Sequence, residues 1–185
     1  MIIKKYLSMK EDKGGYLIHC DSADLMLLFM TPDIIRIRVS FSRCFPEASY
    51  ALIRTAWDDD LDDLFKKERR RIEALQAVCH ETDKKVIFCT GELTLEMVKE
   101  PFYIRILNSR DQCIYSDLPG KSYEKDHLGR IYHYSFLDSE KDHFYGFGET
   151  TGNLDKKGLR IRLAPKDALG HDPEYGQPLY MNIPF

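Results

Sequence analysis

HFYGFGETTGNLDKKGLRIRLAPKDALGHDPEYGQPLYMNIPF, residues 143–185, is dense in glycine, aromatic residues and spaced acids. This composition is typical of a shaped surface. The stretch finishes on LYMNIPF, residues 179–185, an apolar run that predicts the start or middle of a β-strand. Because chain ends usually fray into polar residues, we expect the chain to be the N-terminal piece of a longer protein.

The overall composition is that of a soluble globular protein that can form one domain over residues 1–185. Hydrophobic residues make up 43% and charged residues 31% of the chain, and the net charge is -3. This charge gives no electrostatic reason to bind nucleic acid or an anionic membrane. Residues 1–6 lack a signal-peptide pattern, and the longest apolar run, 25–30, is too short to cross a bilayer. We expect a cytoplasmic protein with no nucleic-acid or membrane partner.

Cysteine and histidine spacing gives no sign of a metal site or a cofactor. The 5 cysteines show no C-x-x-C spacing, which favours reduced thiols. Four of them lie in apolar runs, so we interpret them as core-filling residues. The 6 histidines show no H-E-x-x-H spacing. We therefore expect no metal and no cofactor.

Short alternating or apolar runs predict strands along most of the chain. The clearest is 34–41, in which Ile35, Ile37 and Val39 face one way and the polar residues between them face water. Further strands are predicted at 16–20, 25–30, 50–57, 86–90, 92–98, 102–107, 113–115 and 131–137. Short strands separated by turn residues predict a mainly β fold, an antiparallel β-sandwich.

Residues 58–80 are the exception to this β pattern. Leu61, Leu64, Ile72 and Leu75 lie roughly on one helical stripe, and acids precede bases as the helix dipole prefers. Local propensity therefore predicts a short helix near 60–76. Tertiary strand pairing often overrides such propensity.

Three motifs within residues 143–185 have simple structural interpretations. The glycines of FYGFGETTG, residues 144–152, lack the G-x-G-x-x-G spacing of a dinucleotide site, so they favour close backbone approach in a bent strand. Residues 155–158, DKKG, predict a hairpin turn. The loop at 164–173 contains two acids and a histidine, which serve equally well as solvated turn residues or as binding groups.

FYGFGE at 144–149, followed by Gly152, LDK at 154–156 and Gly158, resembles the N-terminal domain of glycoside hydrolase family 31, the α-glucosidase and α-xylosidase family. Later elements match in order: Asp167, Gly170, DP at 172–173, PLY at 178–180 and IPF at 183–185. Upstream, residues 33–39 and 91–102 resemble core strands of the same domain. The resemblance covers nearly the whole chain.

The resemblance implies a galactose-mutarotase-like β-sandwich that precedes a (β/α)₈ barrel. Members of the family cleave terminal α-linked sugars with retention of configuration, which needs two carboxylates. In the family both carboxylates lie on the barrel, so the resemblance implies that no residue of this chain is catalytic. The implied partners are an oligosaccharide or α-glycoside substrate and the chain's own downstream barrel.

The resemblance also implies a place for the site. In the family, a loop of the sandwich reaches over the barrel mouth and offers an acid to sugar hydroxyls, and by position that acid is Asp167. Residues 164–166, APK, differ from the polar or aromatic residues found there in the family, which also allows Asp167 a role in holding its own loop. Beneath the loop, Gly146, Gly148, Glu149 and Gly152 are predicted to shape the strand.

Two other functions remain open at this level. A free-standing carbohydrate-binding module would offer exposed aromatic platforms. A small sugar epimerase would carry a histidine and glutamate pair inside the sandwich. For an α-glucosidase-like fragment we expect residues 175–185 to be exposed and to promote a homo-oligomer.

Overall fold

Regular secondary structure in the described part of the chain is β-strand throughout. The computed structural model describes residues 1–12, 15–46, 75–138, 140–164, 167, 169–175 and 178–183. It contains two units, Met1–Phe136 and Leu137–Phe185, and the single domain over 1–185 stays a prediction. The first unit holds β1 (Tyr6–Asp12), β2 (Gly15–Cys20), β3 (Asp24–Thr31), β4 (Ile34–Ser40), β5 (Val78–Glu81), β6 (Lys85–Cys89), β7 (Leu93–Val98), β8 (Tyr103–Asn108), β9 (Cys113–Ser116), β10 (Tyr123–Lys125) and β11 (Ile131–His133). The second holds β12 (Gly148–Thr150) and β13 (Pro178–Asn182).

Two antiparallel sheets form the first unit, and both follow the order of the sequence. The first sheet runs β1-β2-β3-β4 and the second runs β5-β6-β7-β8-β9, while β10 and β11 form a separate hairpin. Each strand pairs with its neighbour in the chain because short turns favour antiparallel hairpins. The predicted antiparallel β-sandwich is confirmed.

Alternation along the strands places one apolar face of each sheet in a shared core. Strand β3 contributes the fully buried side chains Leu25, Leu27 and Phe29, and the second sheet contributes fully buried residues including Phe88 and Leu95. The Phe29 and Phe88 ring centroids lie 5.4 Å apart. Burial of each such side chain contributes roughly 1.5–3 kcal/mol, so these contacts hold the two sheets together.

Strand β4 differs from its prediction at one residue. Ile35, Ile37 and Val39 pack against the core as predicted. Ser40, predicted to face water, is buried instead. Its hydroxyl donates to the Cys44 carbonyl at 2.7 Å and accepts the Cys44 N–H at 3.1 Å, so a local turn satisfies the polar group.

The predictions for residues 47–80 have mixed outcomes. The strand at 50–57 and nearly all of the helix near 60–76 lie outside the described residues. Val78 and His80 lie beyond the predicted helix and pair with Cys89 and Ile87. Strand β5 was not predicted from the sequence.

The cysteine interpretation is wrong for most of the thiols. Cys20 is buried, and burial raises the pKa of its thiol to about 12. The other cysteines, Cys44, Cys79, Cys89 and Cys113, are free and exposed. Apolar neighbours in sequence do not place a residue on the core face, because strand side chains alternate between the two faces.

A buried carboxylate fastens the β10–β11 hairpin to the second sheet. Asp117 is fully buried and accepts hydrogen bonds from Ile104 N at 2.9 Å, Tyr115 OH at 2.5 Å and His133 Nε2 at 2.8 Å. The Tyr123 ring stacks on the His133 ring at 4.5 Å. Burial, and then the hydrogen bond to Asp117, raises the pKa of Tyr115, so its hydroxyl remains a donor. Asp117 is thus satisfied by protein groups from several elements.

The second unit is built around the short β12–β13 pair. Gly148 pairs with Asn182 and Thr150 pairs with Pro178, with a register shift between them. Gly148 has φ +82, and a Cβ placed on it would lie 2.4 Å from the Met181 carbonyl oxygen. Only glycine allows this backbone approach without a displacement of β13.

We predict that Asp117→Asn destabilises the first unit. The amide Nδ2 cannot accept a hydrogen bond, so one of three buried donors loses its acceptor, at a cost of roughly 1–3 kcal/mol. Urea unfolding of the chain measures the difference. Asp111→Asn is the matched control, because Asp111 lies in an exposed turn at φ 57, which asparagine tolerates. Equal midpoints for the two variants would contradict the structural role of Asp117.

We predict that Gly148→Ala opens the β12–β13 pair. A positive φ costs alanine roughly 1–2 kcal/mol, and the collision with the Met181 carbonyl adds to that cost. The measurement is amide hydrogen exchange at Met181 and Ile183. Gly158→Ala is the control, because Gly158 has a similar φ of +75 but open space around its Cβ position. Protection equal to that of the control would rule out the steric explanation.

Candidate functional site

Asp167, the residue that the sequence singles out for substrate, is exposed in the second unit. Its Oδ1 accepts a hydrogen bond from Tyr180 OH at 3.3 Å. No described residue donates a hydrogen bond to its Oδ2. The structure therefore brings Asp167 together with β13 through one carboxylate oxygen. Tyr180 was not singled out from the sequence, because the two residues are joined only by tertiary structure.

Glu149 holds the strand that carries Tyr180. Its Oε2 accepts a hydrogen bond from the Met181 backbone N–H at 3.0 Å. The register explains why a side chain serves here: Gly148 pairs with Asn182 and Thr150 with Pro178, so the single residue Glu149 faces residues 179–181. β13 bulges over this position, and the carboxylate supplies an acceptor across the bulge.

The glycines named with Asp167 lie at sharp changes of backbone direction. Gly146, Phe147 and Gly148 have φ of 95, 70 and 82, three consecutive residues in the left-handed region. The Phe147 carbonyl accepts the Ile183 N–H at 3.3 Å. Gly152 N–H donates to the Pro173 carbonyl at 2.8 Å, which ties it to the loop that follows Asp167. Phe147 was missed from the sequence because its side chain gives no sign of an unusual φ.

Asp155 organises the loop between the two strands. Its Oδ1 accepts Phe144 N–H at 3.1 Å and Lys157 N–H at 3.0 Å, and its Oδ2 contacts His143 Nδ1 at 2.7 Å. The hydrogen bond from His143, followed by these backbone donors, lowers the pKa of Asp155 to about 2. The carboxylate is therefore ionised at neutral pH.

A turn is present at 156–159, closed by Leu159 N–H donating to the Lys156 carbonyl at 3.1 Å. The predicted hairpin is wrong, because no strand among the described residues borders this turn: β12 ends at Thr150 and β13 begins at Pro178. Lys156 itself is buried, and its ammonium donates to the Thr151 carbonyl at 2.9 Å. Side chains thus take the place of a ladder in this part of the chain.

The second unit also exposes large apolar side chains. Leu169 is 86% exposed and Tyr175 is 74% exposed, and both lie within eight residues of Asp167 in the sequence. Strand β13 and its end add further exposed residues, Tyr180, Met181 and Ile183. We call these five residues the apolar set of the second unit.

One histidine–carboxylate pair of the described sandwich that the sequence did not identify is His133 with Asp117; His19 with Asp24 is another. Asp117 is fully buried and already accepts three hydrogen bonds, and His133 turns Nε2 toward it. A carboxylate in this state has no free access to a sugar hydroxyl. The pair is therefore better suited to a structural role than to the acid–base chemistry of an epimerase.

Within the described ranges, no group of three or more His, Cys, Asp or Glu residues could hold a metal ion. Over the same ranges, no helix has the length and apolar character needed to cross a membrane.

Comparison with known proteins identifies the domain. Residues 24–185 match the family model described as the glycosyl hydrolase 31 N-terminal galactose mutarotase-like domain. Alpha-glucosidase 2 of Bacillus thermoamyloliquefaciens is 29% identical over 169 residues, which are 90% of this chain and 19% of that protein. The chain thus spans about a fifth of the length of this relative.

Solved structures agree on the fold. A family 31 dextranase of Flavobacterium johnsoniae, complexed with isomaltotriose, superposes with a TM-score of 0.80 at 19% identity, over 100% of this chain and 21% of that chain. A family 31 α-xylosidase of Xanthomonas citri gives a TM-score of 0.51 at 16% identity, over 83% of this chain and 15% of that chain. The galactose-mutarotase-like β-sandwich that the sequence predicted is confirmed, and the chain belongs to the N-terminal domain family of glycoside hydrolase family 31.

Proposed function

We propose that this chain is the N-terminal domain of a retaining α-glycosidase of the α-glucosidase type, acting in the cytoplasm, and that Asp167 lines its substrate pocket. The observation that carries the proposal is the state of Asp167 itself. Its carboxylate is exposed, Tyr180 holds one oxygen, and no described residue occupies the other. Membership of the family supplies the chemical context.

The role of Asp167 in this mechanism is to bind and orient. An ionised carboxylate offers about four lone-pair positions on two oxygens. The Tyr180 hydroxyl takes one of them, and the rest can accept hydrogen bonds from neighbouring hydroxyls of a terminal sugar. Bonds to a charged acceptor are stronger than neutral ones and fix the ring in one orientation. The nucleophile and the acid–base carboxylate required for retention would lie on the downstream barrel.

The apolar set of the second unit supports contact with that barrel. Its five members are large, exposed and concentrated in residues 169–183. Burial of such side chains against a second domain would be favourable because each removes apolar area from water. Asp167 lies next to this set in the sequence, which would place its carboxylate at the border of the interface.

We predict that p-nitrophenyl α-glucoside is hydrolysed by the full-length product of the gene and not by the 185-residue chain. In the full-length protein, Asp167→Asn should raise KM about tenfold, since a hydrogen bond to a charged group contributes about 1.5–3 kcal/mol. Steady-state kinetics measure both effects. Asp111→Asn, an exposed acid of the first unit, is the control and should leave KM unchanged.

Two outcomes would overturn this function. Hydrolysis by the 185-residue chain alone would require a carboxylate pair within the sandwich. Binding of maltotriose by that chain, unchanged in Asp167→Asn, would favour the alternative of a free-standing carbohydrate-binding module. Isothermal titration calorimetry with maltotriose distinguishes this second outcome.

We predict that the 185-residue chain self-associates as its concentration rises. The apolar set would find a substitute partner in a second copy, because exposed apolar patches promote association. Light scattering over a concentration series measures the mass. Leu169→Lys should shift the equilibrium toward monomer, whereas Leu128→Lys, at a 66% exposed position of the first unit, should not. A monomer at every concentration would contradict the prediction.

A further inference from the structure

We infer that Tyr180 is the positioning residue for Asp167, and that the bulge opposite Glu149 is the feature that aims it. The role deepens the proposed function and rests on it, because it presupposes that Asp167 binds substrate. This positioning role involves two segments that are far apart in the sequence, GE at 148–149 and LYM at 179–181. The family resemblance does not imply this role for either segment.

The bulge in β13 places Tyr180 at its centre. Residue 149 of β12 stands opposite residues 179–181 of β13, because the flanking pairs are Gly148 with Asn182 and Thr150 with Pro178. The middle residue of those three is Tyr180. A bulge bends its strand and re-aims the side chain at its centre. Tyr180 is accordingly 62% exposed, and its hydroxyl reaches Asp167.

Glu149 and Gly148 of β12 hold this bulge in place. The Met181 N–H, next to Tyr180, donates to Glu149 Oε2 at 3.0 Å. On the far side, the Gly148 backbone passes so close to Met181 that a Cβ would lie 2.4 Å from the Met181 oxygen. A charged acceptor and a close backbone approach therefore restrain the residue that follows Tyr180. Both come from the GE pair of β12.

Tyr180 orients the Asp167 carboxylate. A hydrogen bond from Tyr180 to Oδ1 selects one orientation of the carboxylate and leaves Oδ2 directed elsewhere. Tyrosine suits this task because its ring has few rotatable bonds and loses little entropy when held. Since both partners are exposed, the contact adds little to folding stability. Its consequence is orientation, and orientation determines substrate affinity.

The test is a double-mutant cycle in the full-length product of the gene, with p-nitrophenyl α-glucoside as substrate. Tyr180→Phe should raise KM about threefold to tenfold, the size expected from loss of one such hydrogen bond, with kcat within about twofold. In the Asp167→Ala background, which removes the acceptor, the same change should have no further effect, because Tyr180 acts through Asp167. Tyr145→Phe is the matched control, an exposed tyrosine of the same unit that lies outside the apolar set.

Glu149 provides a second readout. Glu149→Gln keeps a side-chain oxygen as acceptor for Met181 N–H, whereas Glu149→Ala removes it. Glu149→Ala should reproduce the KM increase of Tyr180→Phe, and Glu149→Gln should restore most of the affinity. The thermal midpoint of each variant is measured alongside, so that a loss of folding is separated from a loss of orientation.

The outcomes separate the two proposals. If Asp167→Asn raises KM but Tyr180→Phe does not, or if the effects of Tyr180→Phe and Asp167→Ala add, the positioning role is overturned while the proposed function stands. If Asp167→Asn leaves KM unchanged, the proposed function of Asp167 fails and the positioning role fails with it. A non-additive cycle together with rescue by Glu149→Gln supports the positioning role.

Discussion

Packing of aromatic and aliphatic side chains between two antiparallel sheets is the interaction on which the first unit depends. Phe88 of the second sheet lies 4.8 Å from the Tyr16 ring and 5.4 Å from the Phe29 ring of the first sheet. Leu25, Leu27 and the other fully buried side chains surround these rings. The hydrophobic effect is non-directional. Polar contacts are therefore needed to fix where the β10–β11 hairpin attaches to the sheets.

Asp117 is a buried polar group that links several elements of the first unit. Burial of a carboxylate is costly unless hydrogen bonds compensate it, and three donors from different elements converge on this one. Because His133 and Tyr115 come from strands of different sheets, their common acceptor fastens the small β10–β11 hairpin to the larger sheet. Because Asp117 already accepts three hydrogen bonds, the His133–Asp117 pair is poorly suited to be an epimerase site. Stability and catalysis make opposite demands on such a group.

The second unit relies on a different principle. Its described residues form one short strand pair, and side chains satisfy several of the remaining backbone groups: Asp155 for two N–H groups, Lys156 for a carbonyl and Glu149 for Met181 N–H. Such contacts create turns and bulges that a regular ladder cannot. They leave polar and aromatic groups at the surface.

Alternation of apolar residues was sufficient to predict most strands of the sandwich, because the period of two places every second side chain on one face. It failed at Ser40 and at Val78–Glu81, where a local turn and a ladder partner decided the outcome. In the second unit, the sequence by itself predicted the family, which the family model confirms, and it named Asp167, whose role stays a prediction. Only the tertiary structure joined Tyr180 to Asp167 and Glu149 to Met181. Hydrogen bonds between residues 13 and 32 positions apart depend on strand register and a bulge, and neither leaves a periodic signal in the sequence.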